Sequence, residues 1–177
     1  MSDTKWMIAR EIPHLRRYAL ALAGDPAAAD DLVQDTLERA IRKRHLFGRR
    51  GSIRGWLYRI LYNVFLNQTA RRRRARAEVE LEAAAEGAPA LAEGPQHELS
   101  LACRDIAEAM RALPAEQRAA IALTAVEGLS YDEAAEVLGV PVGTVRSRLS
   151  RGRDRLRELY SGETTVGGAA PRLRRVK

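Results

Sequence analysis

Apolar residues recur along most of this chain at the three-and-four spacing of helices, and nowhere do they alternate long enough to build a sheet. In "DPAAADDLVQDTLERAIRKR" the residues Leu32, Val33, Leu37, Ala40 and Ile41 face a core, with Asp25 as N-cap and Pro26 at the first helical position. In "GWLYRILYNVFLN" the buried arc is Trp56, Leu57, Ile60, Leu61, Val64 and Phe65; Tyr58, Arg59 and Tyr62 look outward and Asn63 lies at the edge. Leu99, Cys103, Ile106, Met110 and Leu113 form a further apolar face, after which Pro114 starts a helix that Gly128 ends. Cys103 on that face reads as a small core residue.

"LSYDEAAEVLGVPVGTVRSRL" carries the most local information. Ser130 and Glu133 fit a capping box, Ala134, Ala135, Val137 and Leu138 give an apolar side, and Gly139 suits a left-handed helix end. Pro141 then suits the first turn of a second helix, whose Val142, Val145, Leu149 and Leu156 fall in one arc with Gly152 beside them for close packing. Two short helices across a tight turn make a helix-turn-helix. On the second helix Thr144, Ser147, Ser150, Arg151, Asp154 and Arg155 point away from the core. Arg146 and Arg148 flank the seam, and the Arg153 stem covers the core edge. That face has major-groove chemistry, since Arg pairs with guanine and Ser or Thr contacts bases or phosphates.

Charge divides the chain. The formal net charge is +7, which favours an anionic partner, yet residues 77–103 hold six Glu and no Lys or Arg. This Ala-, Glu-, Gly- and Pro-rich stretch reads as a tether whose first part prolongs a helix for a turn or two. The expected fold is all-α: two small helical domains joined by a flexible acidic linker, the C-terminal one a helix-turn-helix. The expected bounds are 1–76, a linker at 77–98, 99–160, and a disordered basic tail at 161–177. The lone Cys103 excludes a disulfide framework, and no signal-peptide core or membrane-length apolar run is present. The chain therefore reads as cytoplasmic, without membrane contact. His14, His45 and His97 are scattered, no residue set has metal spacing, and nothing resembles a nucleophile with its base or a phosphate-cradling loop. We expect no metal, no cofactor and no enzymatic activity.

Two exposed faces of the N-terminal half differ in kind. Asp31, Gln34, Asp35 and Glu38 make an acidic patch on a basic domain, which suits a protein partner or serves only as solvated surface. The loop from Phe47 to Gly55 is rich in Gly and Arg, and the helix after it interleaves aromatic and basic residues. Single-strand binders use that pairing to stack bases and track phosphates, and the run Arg71–Arg76 adds phosphate affinity without sequence information.

In this order and across an acidic linker, "DDLVQDTLERA", "GWLYRILYNVFLN" and "GLSYDEAAEVLGVPVGTVRSRLSRGRDRL" resemble the ECF-type bacterial RNA polymerase sigma factors over roughly residues 8 to 160. The resemblance implies that residues 1–76 form sigma region two, which docks on core polymerase (the β′ clamp helices, with the β subunit also a partner) through Asp31, Gln34, Asp35 and Glu38. It implies minus-ten recognition and melting of promoter DNA by Phe47, Arg49, Arg50, Arg54, Tyr58, Arg59, Tyr62 and Asn63. The helix-turn-helix becomes region four. There Arg146, Ser147, Ser150 and Arg151 approach minus-thirty-five base edges, and Thr144, Arg148 and Arg153 mainly approach phosphates. An anti-sigma factor covering both domains is the further expected partner. A stand-alone dimeric helix-turn-helix repressor or activator is the competing reading, and it leaves the acidic face and the aromatic-basic segment without a role.

Overall fold

Each helix begins and ends where local chemistry requires it. The computed structural model describes residues 3–47, 51–83 and 108–163, and among these every regular element is helical. Helix α1 spans Asp3–Arg10 and α2 spans Ile12–Ala23, which stops at Gly24 (φ 71°), where the amide returns to the Leu20 carbonyl at 2.8 Å. Helix α3, Pro26–Arg42, is capped by Asp25, whose Oδ2 accepts the Ala28 amide at 2.8 Å. After a 3₁₀ turn at Arg44–Leu46 comes α4, Ile53–Ala83, which continues past Arg76 into the Ala/Glu-rich start of the linker. A helical turn at 108–111 precedes α5, Ala115–Ile121, which runs into a π-helical turn at Ala122–Val126.

The helix-turn-helix follows. Helix α6 is Tyr131–Leu138, and its capping box is complete: Ser130 Oγ accepts the Glu133 amide at 3.2 Å while Glu133 Oε2 accepts the Ser130 amide at 2.8 Å. Gly139 ends it at φ 66°, and α7 runs Val142–Glu163. Pro141 stands one position before α7, where its carbonyl accepts the Thr144 and Val145 amides at 2.9 and 3.3 Å. Its missing N–H costs nothing there.

Leu15, Tyr18, Leu22, Leu32, Leu57, Leu61 and Val64 fill the interior of α2–α4, and Leu123, Ala134, Val145 and Leu149 that of α5–α7. The two interiors join, because α6 packs on α4 while α5 and the π turn pack on α2. Gly152 lets α7 approach α5 closely: a Cβ there would lie 2.8 Å from Ile121 Cδ1 and 3.3 Å from Gln117 Cβ.

Expectations are corrected at three positions on α3 and α4: Ile41, Tyr58 and Tyr62. Ile41 is 41 % exposed, because the apolar face of α3 closes on Ala40 and its last turn on this side is uncovered. Tyr58 and Tyr62 do not look outward: they are 0 % and 5 % exposed, since the C-terminal helices cover that side of α4. Among the apolar positions expected before Pro114, Met110 and Leu113 are buried, while Leu99, Cys103 and Ile106 lie outside the described residues, as do the linker from 84 and the tail from 164.

Gly152→Leu forces α5 and α7 apart and is expected to cost about 1–3 kcal/mol in denaturant unfolding. Ser130→Ala removes a cap and is expected to cost about 1 kcal/mol in the same measurement.

Candidate nucleic-acid interface

Helix α7 presents the expected polar face. Arg146, Ser150, Arg151 and Arg153 are exposed, whereas Thr144, Ser147 and Arg148 are half-buried. The Arg151 Nε donates to the Ser147 carbonyl at 3.3 Å and its Nη2 to Ser147 Oγ at 3.2 Å, so the two side chains are held as a pair. Ser150 Oγ donates to Asp154 at 3.5 Å. Arg153, expected to cover the core edge, lies exposed beside Tyr131, Arg146 and Leu149. Arg148 is set apart from the others. It turns toward α4 and the Tyr62 hydroxyl, where burial raises the tyrosine pKa and the guanidinium charge pulls it the other way.

The acidic face of α3 is in place. Asp31, Gln34 and Glu38 are exposed, Gln34 Nε2 donates to Glu38 at 3.4 Å, and Arg42 pairs with Glu38 at 3.5 Å. Asp35 is less free, because Gln68 on α4 donates to its Oδ2 at 3.1 Å.

The residues expected at the minus-ten element separate into two groups. Phe47 packs its ring 5.3 Å from that of Trp56, and Arg59 and Asn63 are exposed. Arg49 and Arg50 lie outside the described residues. Arg54, Tyr58 and Tyr62 instead belong to the contact between the two halves. Tyr58 packs against Tyr18, the rings tilted 60° with centroids 5.1 Å apart, and donates its hydroxyl to Glu127 Oε2 at 2.5 Å. The Glu127 side chain is 0 % exposed. Arg17 reaches it through Nε at 3.1 Å and Nη2 at 3.2 Å, and His14 Nδ1 lies 3.3 Å from Oε2. Arg54 lies behind, with Nε donating to Glu11 at 2.6 Å and Nη2 3.0 Å from His14 Nε2. Arg17 Nη2 also lies 2.8 Å from His14 Nδ1, so the imidazole sits between two guanidiniums beside the carboxylate.

Burial pushes the Glu127 carboxyl up, but the bonds from Arg17, Tyr58 and His14 outweigh it and hold the group below its ordinary value. Burial and the bond to Glu127 raise the Tyr58 hydroxyl, so it stays a donor. A second stitch is Arg118, whose Nη1 donates to the Leu22 carbonyl at 2.5 Å and whose Nη2 donates to the Arg111 and Leu113 carbonyls at 2.8 and 2.9 Å. Gly24 gives room at that point, because a Cβ there would overlap the Arg111 side chain. An open cleft of about 480 Å³ runs between the halves, with Arg54, Trp56 and Arg59 on one wall and Glu133 and Glu136 on the other.

Sequence reasoning missed His14, Arg17, Arg118 and Glu127. A helical wheel for each element shows them as ordinary surface charges, and only the docking of the halves gives them partners. No helix of the described residues is long and apolar enough to cross a membrane, and no group of three or more His, Cys, Asp or Glu among them is set to hold a metal ion.

Known proteins match both halves. The family described as "Sigma-70, region 4" matches residues 103–156, and "Sigma2 domain of PhyR" matches residues 8–62. The ECF RNA polymerase sigma factor EcfG of Rhodopseudomonas palustris is 38 % identical over 148 residues, covering 84 % of this chain and 80 % of that one. The chain belongs to the ECF RNA polymerase sigma factors. The ECF sigma factor SigE of Mycolicibacterium smegmatis is 38 % identical over 164 residues, 89 % of this chain, and the match spans 63 % of the SigE length. Among solved structures, the sigma factor RpoE in complex with the anti-sigma factor NepR from Bartonella quintana superposes with a TM-score of 0.73 at 37 % identity, covering 91 % of this chain and 98 % of RpoE. CnrH in complex with the cytosolic domain of CnrY gives 0.65 at 28 %, covering 90 % and 88 %. PhyR of Brucella abortus, at 24 % identity, shares the fold. As a sigma factor, the chain is a transcription regulator and not an enzyme.

Arg118→Leu removes the stitch to the Leu22 carbonyl and two carbonyl bonds beside it, and thermal unfolding of the whole chain is expected to report a loss of about 1–3 kcal/mol.

Proposed function

We propose that this chain is an alternative sigma factor: it binds core RNA polymerase, brings it to particular promoters and assists their opening, and an anti-sigma factor holds it in check. The observation that carries this reading is the likeness to EcfG over 84 % of this chain, together with the two sigma-family matches at residues 8–62 and 103–156, which span the acidic face and the recognition helix in their expected order. Residues 1–76 act as region two and 99–160 as region four, with the linker at 77–98 and the tail from 161 between and after them. Asp31, Gln34 and Glu38, exposed on α3, with Asp35 beside them, dock on the β′ clamp helices, and the β subunit completes the polymerase contact.

Phe47, Arg49, Arg50, Arg54, Tyr58, Arg59, Tyr62 and Asn63 serve the minus-ten element, where stacking and protein pockets offset an unpairing cost of a few kcal/mol. Arg146, Ser147, Ser150 and Arg151 read the minus-thirty-five base edges, and Thr144, Arg148 and Arg153 hold phosphates. The RpoE complex supports anti-sigma control, since there a sigma factor 37 % identical to this chain is bound by the anti-sigma factor NepR. The work is cytoplasmic, where polymerase and promoter DNA are.

Transcription in vitro from a genomic fragment library, with core polymerase alone and with this chain added, tests the reading. Defined start sites are expected only with the chain present. Arg146→Ala and Arg151→Ala are each expected to weaken those starts about tenfold, the scale of one lost base contact. Asp31→Arg with Glu38→Arg is expected to abolish co-elution with core polymerase while leaving the helical content unchanged. If no new starts appear and the chain alone footprints a palindromic duplex, the dimeric repressor reading replaces this one.

A further inference from the structure

The cluster around Glu127 has an asymmetry. Every donor comes from the N-terminal helices: His14 and Arg17 from α2, Tyr58 from α4, with Arg54 backing His14. The single acceptor comes from the other half, at the end of the π turn. Arg54 has a carboxylate of its own in Glu11, but among the described residues Arg17 pairs with Glu127 and no other carboxylate. One guanidinium, an imidazole and a phenol converge on one point, with Arg54 behind the imidazole, and this set makes a receptor for an oxyanion that serves a phosphate as well as a carboxylate. The receptor lies on the same stretch of α4 as Tyr58, Arg59 and Tyr62, the residues assigned above to the unpaired promoter strand. A strand stacked on those rings brings its phosphates past α2. With the halves packed Glu127 occupies the point where these donors meet, since its side chain and Tyr58 are both 0 % exposed, while the outer edge of Arg17 stays in solvent with its side chain 56 % exposed.

We propose that His14, Arg17, Arg54 and Tyr58 form an oxyanion site that Glu127 fills when the halves are packed and a backbone phosphate of the unpaired promoter strand fills when they part. The inference rests on the minus-ten reading and adds two residues, His14 and Arg17, and a consequence. Glu127 is an internal competitor of DNA, so packing of the halves and capture of the strand exclude one another. Exchange of one anion for another keeps the donors satisfied, whereas opening without DNA leaves Arg17 and the tyrosine to water while Arg54 keeps Glu11.

The test uses the full chain with two readouts. The first is energy transfer between fluorophores at the exposed positions Ala9→Cys and Glu158→Cys, with Cys103→Ser. The second is anisotropy of a fluorescein-labelled oligothymidylate of about twenty nucleotides, long enough to span a single-strand groove. Glu127→Gln keeps the shape but loses the charge, and is expected to lower the transfer and tighten oligonucleotide binding about tenfold, the scale of one charge-assisted bond. Tyr58→Phe, which removes the shortest bond to Glu127, is expected to lower the transfer too, and serves if Glu127→Gln does not fold. Adding Arg17→Ala to Glu127→Gln is expected to cancel the gain and reduce the salt slope of binding by about one.

The oligonucleotide is expected to open the wild-type chain, while inorganic phosphate at equal phosphate concentration leaves it packed; opening by both would overturn the strand as the ligand. Unchanged transfer in Glu127→Gln and Tyr58→Phe overturns the latch. Arg17→Ala without effect, while Tyr62→Ala weakens binding, overturns the oxyanion site and spares the minus-ten reading. Tyr62→Ala and Arg17→Ala both without effect overturn that reading along with the site.

Discussion

A carboxylate cannot be taken out of water unless enough donors surround it, and this requirement at Glu127 sets how the two halves of the molecule meet. Apolar packing between α4 and α6 is non-directional and tolerates sliding, but the bonds from Arg17, Tyr58 and His14 have length and angle. They fix the C-terminal helices against α2 and α4 in one orientation. Arg118, reaching the Leu22 carbonyl beside Gly24, pins the other end of the same contact, so the halves are held at two separated points over a shared apolar interior. Removing any one donor leaves a buried acceptor short of partners, which costs more than the bond itself contributes.

This packing treats the two proposed DNA faces unequally. Arg146 and Arg151 stay in solvent on α7 with the halves together, so the minus-thirty-five face is available. Tyr58 and Tyr62 are covered, and Arg148 is drawn in beside Tyr62. The acidic face of α3 lies on neither contact, since Asp31, Gln34 and Glu38 remain exposed. Of the surfaces proposed for this chain, the one assigned to the opened strand is the one the packed form withholds.

Much of this was legible in the sequence because it is local. The Asp25 cap, the Ser130–Glu133 box, the left-handed Gly139 and the apolar arc through Val145 and Leu149 each depend on residues within a turn or two, and spacing alone encodes them. The close approach at Gly152 was legible for the same reason, as a small residue in line with large ones. What the sequence hid depends on pairs far apart in the chain: Tyr58 with Glu127, Arg17 with Glu127, Arg118 with the Leu22 carbonyl. A wheel drawn for one helix cannot tell water from a second helix bundle, so Tyr58 and Tyr62 read as outward. Ile41 failed the other way, an apolar residue in phase with the core at a place where no neighbour arrives to cover it.

The π turn at Ala122–Val126 holds the Glu127 amide on the Ala122 carbonyl at 3.0 Å, five residues back instead of four. That one additional residue advances everything after it by about 100° around the α5 axis relative to a continuous α-helix. The alignment of Glu127 with His14 and Arg17 is thus written as a residue count inside a helix. Changing the length of this turn by one residue would rotate the carboxylate off its donors and swing α6 and α7 with it. Phase within that turn decides whether the two halves fit.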